Sequence, residues 1–533
     1  MPVTHVVEAG AVIRDTAEGP ELTLTLSWPD GILEAADAEA LGAAWTDLLA
    51  GLATHTDAPT AGGHTPSDFP LVEVSQAGVA ELEGVVPDLV DVWPLSPLQE
   101  GLLFHAAYDG DGPDVYEGQR SLVVEGPLDV GRLRLAWGVV LERHPVLRAS
   151  FHPGVAVSGG AVQVVSGRVV LPWTVADVSG LTDVEATAEV ERLSAVERAS
   201  RFDLAEAPLV RVLIVRLAPE RYRMSVTSHH IVLDGWSLPV LVGEVSAAYA
   251  AGGSGRGLPV VGSYGEYLGW LGEQDKGAAR EVWQRELAGL DGATLVVAAE
   301  SVRSVVVPER VRFALEEGLS RGLGELARSH GLTVNTLVQG AWALVLARLA
   351  GREDVVFGAT VAGRPAELPG VESMIGLFIN TLPVRVRLDG DQPLLDLLAD
   401  LQARQSVLMS HQHVGLQEIN QWVGAGAVFD TLVVYENYPR AATDPVTGPD
   451  AITIRPADVP EDTGHYPLTL IVAPGDPMQG DLIYRPDVFD RARAGEVLAW
   501  FVGVLEQFVS DSGRLVGRIG VVGGAGREVV VDR

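Results

Sequence analysis

The chain has 533 residues, 47% hydrophobic and 20% charged, with a formal net charge of −33 and no cysteine. That length predicts two or more folding units, the composition excludes a disordered chain, and the acidity argues against sequence-independent nucleic-acid binding and against an anionic membrane surface. Without cysteine there is no disulfide, thiolate nucleophile or zinc–thiolate centre, which fits a reducing, cytoplasmic setting.

The opening, MPVTHVVEAGAVIRD, lacks a basic stretch followed by an apolar run and does not read as a signal peptide. ELTLTLSWPDG (Glu21–Gly31) alternates and then turns, predicting a strand and its exit. ILEAADAEALGAAWTDLLAGLATH follows with helical spacing. DAPTAGGHTPSDFP, rich in Gly, Pro, Thr and Ser, reads as a linker. The body beyond it reads as mixed α/β. DVGRLRLAWGVVLERH has apolar residues at helical intervals, and APLVRVLIVRLAPERYRMSVTSHH gives two strands around an APER turn. SLPVLVGEVSAAYAAGG is a helix ended by glycines, and GSGRGLPVVGSYGEY is a connector at mid-body. LTVNTLVQGAWALVLARLAG is a second long helix, with Thr333 as N-cap and Gly351 as stop. Gln339 and Arg348 interrupt it, so it predicts a core-facing helix rather than a membrane span. DTLVVYENYP is a strand. DLIYRPDVFDRARAGEVLAWFVGVLEQFVSD is again strand, turn and amphipathic helix, with Pro486-Asp487 matching Pro29-Asp30. The repeat predicts that residues 1 to about 60 are the tail of a preceding, related domain.

The most informative stretch is SVTSHHIVLDGWSLPVL, Ser225–Leu241. Neighbouring side chains on a strand point to opposite faces, so one of His229 and His230 can face a cavity while the other faces the core. Gly235 permits backbone geometries that other residues resist and lets a ligand approach, and the helix that follows offers unpaired N–H groups. An imidazole on a cavity wall can serve as acid, base or hydrogen-bond partner near neutral pH. Asp234 can orient an imidazole or pair with an arginine that pins the loop. Metal binding is disfavoured, because no third and fourth ligand stands at suitable spacing nearby.

HHIVLDG resembles the HHxxxDG signature of condensation domains of nonribosomal peptide synthetases. WPLSPLQEGLLFHA (Trp93–Ala106), RHPVLRASF (Arg143–Phe151), FGATVAGRPAELPGVESMIGLFINTLPVRV (Phe357–Val386), HQHVGLQEI (His411–Ile419) and FDTLVVYENYP (Phe429–Pro439) resemble further motifs of that family in its order. The resemblance runs from about Asp91 to Val522. It implies an α/β fold of two chloramphenicol-acetyltransferase-like lobes forming a V-shaped pseudo-dimer with a central tunnel. Upstream donor and downstream acceptor carrier domains would each present a thioester on a 4'-phosphopantetheine arm, and the domain itself would bind no cofactor or metal. By the same resemblance His230 is the catalytic residue, taking a proton from the attacking amine or positioning it, and Gly235 borders the developing oxyanion. His229, Asp234 and Arg364 are structural, with Asp234 expected to pair with Arg364. Ser96, Trp236, Ser237 and Asn380 are tunnel-lining candidates, with local capping or turn bonding as the alternative for Ser96 and Asn380.

PLSPLQEGLLFH resembles the version found in domains that accept a D-configured donor residue. Such domains follow an epimerization domain, whose tail the N-terminal unit resembles. The implied layout is an epimerization-like tail (1–60), a linker (61–90), a first lobe (91–265), a second lobe (266–522) and the start of a linker toward an adenylation domain (523–533). An epimerase is an alternative, but the EGHGRE-like segment it needs is missing, VVYENYP with Glu436 standing there instead. A non-catalytic recruitment platform would have lost the His pair or the Asp-Gly. A standalone acyltransferase acting on a coenzyme A thioester fits the flanking segments poorly. His105 and His144 read as structural, His411 and His413 as helix-flanking, and His465 as able to approach the tunnel from the second lobe.

Overall fold

The computed structural model describes residues 5–17, 19–57, 62–108, 114–297, 306–424, 428–437, 452–457 and 465–521. Contacts divide the chain into two compact units, Met1–Thr65 and Pro66–Arg533. In the first, strand β1 (Glu8–Thr16) pairs antiparallel with β2 (Gly19–Ser27), Glu8 opposite Ser27, and helix α1 (Ala35–Thr56) follows. The periodicity of the sequence reveals β2 and α1 but not β1, whose residues alternate too weakly to signal a strand. In α1 only Ala38 is buried.

The second unit begins inside the expected linker 61–90, which is folded from Pro66 onward. Ser75 caps helix α2 (Gln76–Val85) by accepting the Gly78 N–H at 3.1 Å. Phe69, Val79, Leu82 and Val86 pack there with Val162 and Val164. The linker composition ends near Thr65, after which apolar residues recur at helical spacing and supply a small core of their own.

Strand β3 (Leu89–Pro94) and helix α3 (Pro97–Tyr108) lead into β4 (Glu117–Glu125) and helix α4 (Val130–Arg143). Strands β5 (Ala149–His152) and β6 (Val162–Ser166) join β3 in a small sheet. Then come β7 (Trp173–Asp177), helix α5 (Asp183–Ala199), β8 (Val210–Ala218), β9 (Arg221–His229) and helix α6 (Ser237–Ala250). In β8 and β9, Val210, Val212, Ile214, Met224 and Val226 face the first-lobe core, while Leu213 and Val215 pack beneath α5. Both faces are covered, which explains the near-continuous apolar runs.

Around the expected lobe boundary stand helix α7 (Tyr264–Gly272) and helix α8 (Lys276–Glu286), which pack in different cores. Tyr264, Tyr267 and Leu268 belong to the first core, whereas Ala279 and Trp283 pack with Leu382 and Ile419. The connector is shorter than expected because Ser263 caps α7, accepting the Gly265 N–H.

The second lobe is built from β10 (Glu309–Ala314), α9 (Glu317–Ser329), α10 (Val334–Ala350), β11 (Asp354–Val361) and β12 (Asn380–Arg387). Next come α11 (Leu394–Leu408), α12 (Leu416–Val423) and β13 (Thr431–Tyr435). Thr333 caps α10, Gly351 ends it in left-handed geometry at φ 65°, and Thr336 to Leu346 are all buried. Strand β14 (Thr453–Pro456) returns to the first lobe and pairs with β4, Ile454 opposite Val124. Strands β15 (Leu468–Ala473) and β16 (Gln479–Tyr484) and helix α13 (Arg491–Ser510) complete the second lobe. Its mixed sheet runs β10-β16-β15-β13-β11-β12, and the first-lobe sheet runs β14-β4-β9-β8-β7. The end of the FDTLVVYENYP motif (Tyr438–Pro439) and the expected 523–533 linker lie outside the described residues. Among the described residues, no single helix is long and apolar enough to cross a membrane.

Candidate active site

The two histidines sit where β9 ends. His229 is the last residue of the strand, opposite Glu117 of β4, and is 0% exposed. Its Nδ1 accepts the Ile231 N–H at 3.0 Å, so Nε2 carries the proton and donates to Asp114 Oδ2 at 3.2 Å. Asp114 Oδ1 accepts the Tyr116 N–H at 2.9 Å, and Arg201 lies 3.8 Å from Oδ2. Burial pushes the His229 imidazole below its usual range against the pull of Asp114. His229 is thus a neutral bracket. Sequence reasoning missed its partner Asp114, which lies 115 residues away and is marked by no spacing.

His230 is half-buried. Its backbone N–H donates to the Tyr116 carbonyl at 2.9 Å. Its Nδ1 lies 3.3 Å from the Leu233 carbonyl, which can only accept, so Nδ1 holds a proton, and in the neutral ring Nε2 is the acceptor nitrogen. Nε2 lies over Gly118 of β4, in ordinary van der Waals reach of where a β-carbon would stand.

The Asp-Gly turn is held by the segment that leaves the second-lobe sheet between β11 and β12 and packs in the first-lobe core. Asp234 is 1% exposed and accepts three N–H groups: Ser237 at 2.7 Å, Phe378 at 3.0 Å and Arg364 Nη2 at 3.4 Å. Its own N–H donates to the Gly376 carbonyl at 3.1 Å. Arg364 also donates to the Val371 carbonyl, to the Met374 carbonyl at 2.9 Å and to Ser237 Oγ at 2.9 Å, and lies 3.9 Å over the Phe378 ring. Of the two roles open to Asp234, the geometry shows the arginine pair; the carboxylate that meets an imidazole is Asp114.

Gly363, beside Arg364, has φ 61°, and a β-carbon there would collide with the Phe378 carbonyl. Gly363→Ala is therefore expected to cost more than about 1–3 kcal/mol, by combining a strained backbone with a displaced segment. A drop in the urea midpoint relative to Gly370→Ala would check this. Gly370 is also left-handed, at φ 74°, but a β-carbon there has no contact closer than 3.9 Å.

The tunnel-lining candidates and Gly235 are placed as follows. Ser237 is 0% exposed; its Oγ donates to the Gly376 carbonyl and accepts from Gly376 N–H, so it staples the lobes and cannot line an open passage. Ser96, 3% exposed, starts α3: its N–H donates to Gln99 Oε1 at 2.9 Å and its Oγ accepts from Gln99 N–H. Asn380, 8% exposed, donates to the Gln412 and Val414 carbonyls and pins the segment before α12. Trp236 is half-buried and donates to the Glu372 carbonyl at 3.0 Å. Gly235 does not adopt positive φ, so its value lies in lacking a side chain. Gln99 was overlooked: fully buried, it donates to the Ile231 carbonyl at 2.9 Å and ties α3 to the histidine turn.

His465 comes from the second lobe to this end of β4. Its Nδ1 meets the Tyr116 hydroxyl, and its ring stacks on His105 with centroids 4.7 Å apart. Burial, with His105 and Arg485 nearby, holds its pKa down to about 3. A folded pKa below the ordinary value of about 6.5 means that the unfolded chain binds the proton first. Stability from this group is present above about pH 6.5 and is lost as pH falls toward 3. The parent is expected to lose about 1.4 kcal/mol per pH unit relative to His465→Asn over that window. Urea melts of both proteins at pH 7 and 5 would show it.

Residues 90–529 match the family model of the condensation domain. The chain is 34% identical over 519 residues to one of the linear gramicidin synthase polypeptides of Brevibacillus parabrevis, covering 95% of this chain and 6% of that polypeptide. It spans between 6% and 10% of the length of the three linear gramicidin synthase polypeptides it matches. In fold it is similar to the first condensation domain of the calcium-dependent antibiotic synthetase in complex with a substrate analogue. That match has a TM-score of 0.66 and 19% identity, covering 80% of this chain and 98% of that one. It is also similar to the X-domain from teicoplanin biosynthesis, with a TM-score of 0.67 and 25% identity, covering 80% and 97%. With the match spanning both lobes and the His-His turn between them, the chain belongs to the condensation-domain family, the amide-forming acyltransferases of nonribosomal peptide synthetases.

Proposed function

We propose that this chain forms a peptide bond between a donor peptidyl thioester and an acceptor aminoacyl thioester, each borne on the phosphopantetheine arm of a carrier domain. The observation that supports this reading is the placement of the His230 ring, with Nδ1 3.3 Å from the Leu233 carbonyl. With Nδ1 donating to Leu233, Nε2 is the acceptor nitrogen of a half-buried ring beside a turn held by both lobes. The acceptor's amine nitrogen attacks the donor carbonyl and passes a proton to Nε2. The Gly235 N–H meets the oxyanion. As the tetrahedral centre collapses, the C–S bond breaks and the proton leaves with the thiol. One C–N bond forms for each C–S bond broken. General-base assistance of this kind contributes about 10²–10⁴-fold, and one oxyanion donor about 10²–10³-fold. His229, Asp234 and Arg364 frame the site.

The donor residue is D-configured, and residues 1–60 are the end of an upstream epimerization domain. PLSPLQEGLLFH supports the first statement. The second is supported by a contrast between helices. Helix α13 buries Val497, Leu498, Phe501, Val504, Leu505 and Phe508, whereas α1, after a similar strand and turn, leaves Leu41, Leu48 and Leu52 exposed. An apolar stripe left in water fits a helix made to cover a sheet. The full assembly is a cytoplasmic synthetase in which carrier, epimerization and adenylation domains adjoin this one.

The test loads a donor carrier with D- and with L-configured aminoacyl thioesters and offers each to a loaded acceptor carrier. Dipeptidyl product is expected from both, with D faster by about tenfold or more. A preference for L, or equal rates, overturns the donor assignment. Absence of dipeptide together with α-carbon exchange in deuterated water would make the chain an epimerase.

A further inference from the structure

The short segment Asp114–Tyr116 holds both histidines. Asp114 accepts from His229 Nε2, and the Tyr116 carbonyl accepts the His230 N–H at 2.9 Å. The Tyr116 N–H, turned back on Asp114 Oδ1, ties these two holds together. What fixes the segment itself is therefore one step from the position of the His230 ring.

The side chain of Tyr116 supplies that anchor, and it reaches into the other lobe. Its hydroxyl bonds to His465 Nδ1, and its ring lies 5.9 Å from His105 and 6.0 Å from His465. His105 comes from α3 of the first lobe and stacks on His465. His465 stands just before β15, which pairs with β13 at Leu468 opposite Thr431, so the second-lobe sheet fixes it. Behind it Tyr466 lies 4.2 Å away, itself stacked on Phe429 at 5.9 Å. Because the imidazole is held neutral, Tyr116 O–H is the donor and Nδ1 the acceptor. The second lobe is thus bolted to the backbone that carries His230, at a point separate from the Asp234–Arg364 contact.

We infer that Tyr116 and His465 are positioning residues: their hydrogen bond across the lobes sets where His230 Nε2 stands, so that it governs turnover rather than carrier binding. This rests on the assignment of His230 as the catalytic base. A ring misplaced by a fraction of an ångström loses rate steeply, because proton transfer needs a near-attack geometry.

The experiment measures condensation by the full 533-residue chain with loaded donor and acceptor carriers. Tyr116→Phe and His465→Phe keep the rings and remove the bond. Each is expected to lower kcat about 5- to 20-fold, with KM for either carrier changed by less than about twofold. The double variant is expected to be no slower than about the slower single, because both substitutions delete the same bond. His465→Asn places an amide oxygen near where Nδ1 lies and is expected to recover kcat to within about threefold of the parent. Parental kcat in either phenylalanine variant overturns the inference, as do losses confined to KM or an asparagine variant as slow as the phenylalanine one. His230→Ala, run in parallel, separates the two failures. If it is inactive while Tyr116→Phe turns over normally, only the positioning role falls. If it is active, the site assignment falls and takes the positioning role with it.

Discussion

His230→Ala is expected to slow dipeptide formation by about 10²–10⁴-fold while leaving the urea midpoint at the parental value. The ring is half-buried, and its Nδ1 contact at 3.3 Å is a long bond to the carbonyl of Leu233 in the same turn. Its neighbour supplies the contrast. His229 is fully buried, and removing it leaves a cavity, an unmet Ile231 N–H and an Asp114 carboxylate stripped of a donor. His229→Ala is expected to lose about 2–5 kcal/mol of stability. Adjacent histidines should therefore give opposite phenotypes, one read in rate and the other in the melt. A His230→Ala enzyme with full turnover would remove the proposed chemistry.

Asp234→Ala is expected to cost about 3–5 kcal/mol, seen as a fall in the urea midpoint, with turnover falling alongside. Two backbone N–H groups and the Arg364 guanidinium converge on this carboxylate, and the side chains of Asp234 and Arg364 are 0% and 3% exposed. Alanine leaves a buried cation and unsatisfied donors from both lobes. Asp234→Asn should not rescue, because the amide nitrogen that replaces one oxygen would face an N–H. In a double-mutant cycle with Arg364→Ala, the pair is expected to cost less than the sum of the singles, since the second substitution removes the charge stranded by the first. Additive losses would show that the two side chains act independently.

The elements legible in the sequence are those encoded locally. Helix α10 announces itself through Thr333, its apolar run and Gly351, and β8 and β9 through branched and apolar residues around a short turn. The weaker elements escape, β1 for want of alternation and α2 because it lies in a segment whose start reads as linker. Ser96, Ser237 and Asn380 show what a motif leaves open. These residues lie in motifs around the site, but motif membership cannot tell a wall from a staple, and each has its hydrogen-bonding groups turned into protein.

By itself the sequence determined the family, the residue types at the His-His-Asp-Gly turn and the periodicity of the main helices and strands. All of these are properties of short stretches, carried by backbone period, capping and side-chain chemistry. Only the tertiary structure decided that Asp114 serves His229, that β14 crosses back to the first-lobe sheet, and that Tyr116 meets His465 across 349 residues. Such pairings depend on which buried groups the packed lobes bring face to face, and no local spacing records them.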